Sequence, residues 1–142
     1  MEISDVRRRL RSAIEEARRR ADERRARRDE ASREWERTLN GVAVPAFHMM
    51  ASALTGEGHR YKVLTPGQAV RLVPERGAEE FVELSLDTER DEPALMLRSD
   101  RGRGRRMISS ERVFRAGASI GSFTEEDVID ALLEELVPFI ER

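Results

Sequence analysis

The chain has 142 residues, and its 26 basic side chains nearly cancel its 28 acidic ones, for a formal net charge of -2. That length suits one domain, but 38% of the residues are charged, which leaves apolar material for one modest core and implies a long solvated segment. Cysteine is absent, which excludes disulfides, thiolate nucleophiles and Cys-ligated metal sites.

The first ten residues, MEISDVRRRL, run into arginines with no apolar stretch behind them, so a secretory signal is not expected and an intracellular, cytoplasmic protein is. Thr38 to Gly56 is 19 residues without Asp, Glu, Lys or Arg. Asn40, Gly41, Pro45, His48 and Ser52 dilute it too far for a membrane span, and no membrane partner is expected.

Residues 4 to 40 read as one long helix, with Ser4 or Asp5 as the cap and no Gly or Pro before Gly41. Leu10, Ile14, Ala17, Ala21, Arg24, Arg28, Ala31 and Trp35 follow a heptad spacing, although alanines and arginines fill most of this coiled-coil-like seam. Charge pairing supports the helix: Glu15 with Arg19, Glu16 with Arg20, Glu23 with Arg27 and Asp29 with Arg33 place the acid four residues before the base. Asn40-Gly41 and Pro45 then predict a break, followed by a second, apolar helix from about Pro45 to Thr55.

From Tyr61 the hydrophobic period changes to two. Strands are expected at Tyr61 to Leu64, Ala69 to Val73 and Phe81 to Leu86, then at Ala94 to Arg98 and Arg106 to Ser109. Thr65-Pro66-Gly67-Gln68 reads as a type II turn, Pro74-Glu75-Arg76-Gly77 as the next turn, and Ser99 to Gly104 as a loop. On the third strand Glu83, Ser85 and Asp87 alternate with apolar residues and are expected on the wet side. Thr124 caps a final helix rich in Leu, Ile and Val, whose wide apolar stripe must be covered. The reading is an α+β protein. It consists of a helical arm over 1–40 and a small globular domain over 41–142, with an antiparallel meander of four or five strands and a C-terminal amphipathic helix packed on the sheet.

The charge is unevenly placed. Residues 98 to 115 hold seven Arg against Asp100 and Glu111, whereas residues 124 to 142 hold seven acids against Arg142. Arg101, Arg103, Arg105 and Arg106 form a basic hairpin tip able to fork onto phosphates, with Gly102 and Gly104 letting the backbone approach. The acidic total and the lack of interleaved aromatics weigh against nucleic acid as the main ligand. His48, expected in a core or interface, and His59, at a loop edge, belong to no catalytic or metal spacing. No catalytic residue, cofactor or metal is assigned. The expectation is a non-enzymatic interaction or scaffold module with an unidentified protein partner, working as a homo-oligomer, most simply a dimer. Trp35, Leu39, Phe47, Met49 and Met50 are the expected contact residues. The alternative is nucleic-acid binding through the hairpin 98–106 and the N-terminal helix.

Overall fold

The computed structural model describes residues 1–76 and 79–141. Helix α1 (Ile3–Thr38) leads through a π-helical turn (Leu39–Ala43) into α2 (Val44–Gly56). Five strands follow, β1 (Tyr61–Leu64), β2 (Ala69–Pro74), β3 (Phe81–Asp87), β4 (Ala94–Arg103) and β5 (Arg106–Val113), and α3 (Glu125–Glu141) ends the chain. The strands pair in chain order as an antiparallel meander. This is the expected α+β architecture, with five strands.

The helical region differs from expectation at both ends. Glu2, not Ser4 or Asp5, precedes the first helical residue, and no side chain caps it. At the other end Asn40-Gly41 does not stop the helix. The Val44 amide donates to the Leu39 carbonyl five residues back, so the backbone ladder widens just before Pro45, which has no amide to offer. Burial of Leu39 and Ala43 holds the chain helical here, against the local preference of Asn-Gly for a cap.

Strand boundaries at β1, β2 and β3 lie within one residue of expectation. The first turn is displaced by one residue: Gly67 takes the left-handed conformation and Ala69 N–H closes onto the Pro66 carbonyl. The second turn lies partly outside the described residues, since Gly77 is not among them. The expected loop at Ser99 to Gly104 is mostly strand. β4 and β5 run out together until Arg103 faces Arg106, and Gly104 with Arg105 forms a two-residue turn. Gly104 has φ of +63° and occupies the first central position, the place of glycine in a type II′ hairpin.

One face of the sheet supplies Val70, Leu72, Val82, Leu84, Leu95 and Leu97 to the core. Against it pack Trp35 and Leu39, Phe47, Met50 and Leu54 of α2, and Val128, Leu132, Leu136 and Phe139 of α3. Phe123 bridges the layers, 6.2 Å from the Trp35 ring and edge-on to Phe114 at 5.4 Å. The opposite face carries one rung of alternating charge across four strands, Arg71, Glu83, Arg98 and Glu111. Glu83 was expected on the wet side, yet it is buried. Arg71 bonds it at 2.8 Å and also stacks over Phe81, while Arg98 closes from the other side at 3.7 Å.

Candidate functional site

The four hairpin arginines lie together at the far end of β4 and β5. Register places Arg101, Arg103 and Arg106 on one face, with Arg103 and Arg106 directly opposite one another, and Arg105 in the turn. Among the described residues none of the four forms an ion pair. Glycine does not play the expected role at both positions. Gly104 shapes the turn, but the Gly102 amide already donates to the Glu80 carboxylate at 2.6 Å, and Glu79 and Glu80 share a shallow hollow with Arg105 and Arg106.

The other arginines of the basic segment are engaged. Arg98 pairs with Glu83 and Glu111, and Arg115 with Asp127 at 3.6 Å. Arg112 reaches α3, bonding Glu134 and the largely buried Glu135, each at 3.0 Å. The base of the basic hairpin therefore meets the acidic helix within one chain, while the tip does not.

The expected contact residues are placed differently. Trp35, Leu39, Phe47 and Met50 lie inside the chain's own core, and only Met49 is exposed. Phe47 and Met50 of α2, Leu39 of the π-helical turn and Trp35 near the end of α1 all pack into the core that the sheet and α3 share with them. The arm itself also ends earlier than residue 40, because Ala31, Trp35 and Thr38 are buried in the globular body.

What protrudes is the first 30 residues, where only Asp5 and Ala21 are even partly buried. Their charge pairing mostly uses a spacing of three: Arg8 with Asp5, Arg19 with Glu16 and Arg25 with Asp22. Arg20 approaches Glu16 at 4.0 Å as expected, whereas Arg19 turns to Glu16 and Glu23 instead of Glu15. The hydrogen bond from Arg19 holds the Glu16 carboxyl below its ordinary range, and the same bond raises the Arg19 guanidinium.

Along this arm Ile3, Val6, Leu10 and Ile14 are exposed at helical spacing. Val6 and Ile3 extend the expected seam from Leu10 back toward the N-terminus by steps of four and three. A second exposed stripe lies on α3, where Leu133, Val137 and Ile140 are each about half exposed. The wide stripe of α3 is thus only partly covered by the sheet and α2.

His48 is exposed on α2 rather than buried, and His59 is exposed in the loop before β1. His59 shares a hollow with Glu75, whose carboxylate faces Arg60 at 3.9 Å. A cleft of about 540 Å³ between the β3–β4 loop and the loop after β5 contains Arg90, Glu92, Phe114 and Arg115, and neither histidine. Among the described residues no group of three potential metal-binding side chains converges, and no helix is long and apolar enough to cross a membrane. Comparisons with protein-family models, with curated proteins and with solved structures find no match to this chain.

Proposed function

We propose that this chain is a non-enzymatic interaction or scaffold module that acts as a homo-oligomer, most simply a dimer, through its projecting arm. The observation that carries the reading is the stripe of Ile3, Val6, Leu10 and Ile14 on a helix that touches nothing else in its own chain over most of its length. An isolated helix in water is marginally stable, and tertiary or quaternary packing of an apolar face normally supplies the rest. A cytoplasmic setting belongs to the same proposal, supported by a sequence without the cysteines that staple small secreted domains. Sedimentation of the full chain at micromolar concentration tests it: a mass above the 16.3 kDa of one chain is expected, and a monomer throughout overturns it.

The second reading is nucleic-acid binding through Arg101, Arg103, Arg105 and Arg106, with help from the arm. It is favoured by the absence, among the described residues, of any ion pair to these four side chains and by the direct apposition of Arg103 and Arg106, a like-charge pair that an anion would relieve. Fluorescence anisotropy with mixed-sequence RNA and DNA is the test. Binding should weaken steeply with salt and fall when the four are replaced by Ala; no binding at low salt rejects it.

A further inference from the structure

The two exposed apolar stripes are complementary in charge. On the arm, Arg7, Arg11 and Arg18 run beside Leu10 and Ile14 and line the same shallow groove, with Glu15 the one acid among them, so the groove's rim is net basic. Among the described residues none of these three forms an ion pair, in contrast to Arg8, Arg19, Arg20 and Arg25. On α3, Glu126, Asp130 and Glu141 stand at helical spacing along the flank of Leu133, Val137 and Ile140, and among the described residues they too form no ion pair, whereas Asp127, Glu134 and Glu135 are engaged by Arg115 and Arg112. Unpaired bases thus border one apolar ridge, and unpaired acids border the other.

From this match we infer that the arm tip of one copy docks along the exposed stripe of α3 in a second copy. The inference rests on the homo-oligomer reading and names the surface that such an oligomer uses. A chain cannot satisfy its own stripe. Ile14 is 17 residues before Ala31, where the body begins, so the tip starts roughly 25 Å out along a continuous helix with no Gly or Pro to fold it back. Arm-to-arm pairing is the poorer alternative, because beyond Ile14 the seam offers only Ala17, Ala21, Arg24 and Arg28, and it would bring like net charges together. Docking on α3 instead lays Ile3, Val6, Leu10 and Ile14 against Leu133, Val137 and Ile140, with arginines meeting acids at the rim. Reciprocal exchange of tips between two copies closes the assembly as a dimer.

The cysteine-free sequence makes crosslinking direct. Leu10→Cys and Val137→Cys chains are mixed and treated with a short bismaleimide, with Ser109→Cys on β5 as the control partner. A covalent dimer is expected from Leu10→Cys with Val137→Cys and not from Leu10→Cys with Ser109→Cys. In parallel, reversing Arg7, Arg11 and Arg18 to Glu, or Glu126, Asp130 and Glu141 to Arg, should each weaken self-association by about tenfold or more, and mixing the two variants should restore it. An oligomer that crosslinks Leu10→Cys only to itself, or that ignores both reversals, overturns docking on α3 while leaving the homo-oligomer intact. A chain that is monomeric throughout overturns both.

Discussion

The indole Nε1–H of Trp35 donates a 2.6 Å hydrogen bond to the carbonyl of Gln68, tying α1 to the β1–β2 turn across 33 positions of sequence. Trp35 is fully buried and is the chain's only tryptophan, and with Ala31, Thr38 and Leu39 it anchors the base of the arm in the body. Replacing Trp35 by Phe keeps a ring in the core but leaves the Gln68 carbonyl without its donor, for an expected loss of about 1–3 kcal/mol. Trp35→Ala should cost about 3–5 kcal/mol by opening a cavity. Urea unfolding followed by circular dichroism distinguishes these values.

Arg112 holds two acids of α3 that differ in exposure, Glu135 at 12% and Glu134 at 75%. Removing the arginine strands the covered carboxylate. Arg112→Met should therefore destabilise by about 1–3 kcal/mol, whereas Glu134→Gln should cost under about 0.5 kcal/mol. Combining Arg112→Met with Glu135→Leu should recover most of the loss, because the only carboxylate then left without Arg112 is the exposed Glu134. A double-mutant cycle on the unfolding free energy measures all three.

Thr124 and Asp127 cap α3 reciprocally: the Asp127 amide donates to Thr124 Oγ1 at 3.2 Å, and the Asp127 carboxylate accepts from the Thr124 amide at 2.9 Å. That backbone bond, with the Thr124 hydroxyl and then Arg115, holds the Asp127 carboxyl below its ordinary value of 3.8. A carboxyl more acidic in the folded than in the unfolded chain stabilises the fold fully above the unfolded value. It loses that contribution as pH falls through the lower folded value. The stability of Asp127→Asn should accordingly fall less steeply than that of the parent chain below pH 3.8, as read from urea midpoints across the acid range. Thr124→Ala should cost about 1 kcal/mol at neutral pH.

At the hairpin tip, stability and anion binding are separable. Gly104 holds φ of +63°, so Gly104→Val should destabilise by roughly 1–2 kcal/mol, seen as a lower Tm. Arg105→Ala, at an exposed turn position, should leave Tm nearly unchanged. If the tip binds nucleic acid, Arg105→Ala should lower affinity at unchanged Tm.

Much of the secondary structure was legible because local rules and burial agree. The arm is helical by propensity and charge pairing, β1 and β3 follow their alternation, and the Thr124 cap is where the residue types place it. The errors fall where local and tertiary preferences part. Asn40-Gly41 reads as a stop, but Gly41 stands in open space and the burial of Leu39 and Ala43 on either side keeps the helix going. Ser99 to Arg103 lacks an apolar alternation, and strand pairing to Arg106–Ser110 orders it all the same.

The candidate surfaces divide along the same line. Composition and spacing alone determine that a long charged helix fills most of residues 4 to 40, that a basic cluster and an acidic terminal helix carry opposite charge, and that chemistry based on cysteine is absent. Which side chains remain outside is a matter of packing. Trp35, Leu39, Phe47 and Met50 look as available for a partner as Leu133, Val137 and Ile140 do, because hydrophobicity along the chain carries no record of which elements meet. Only the folding of α2 and α3 onto one face of the sheet buries the first set and leaves the second exposed, and only the reach of Arg112 and Arg115 sorts the acids of α3 into paired and free.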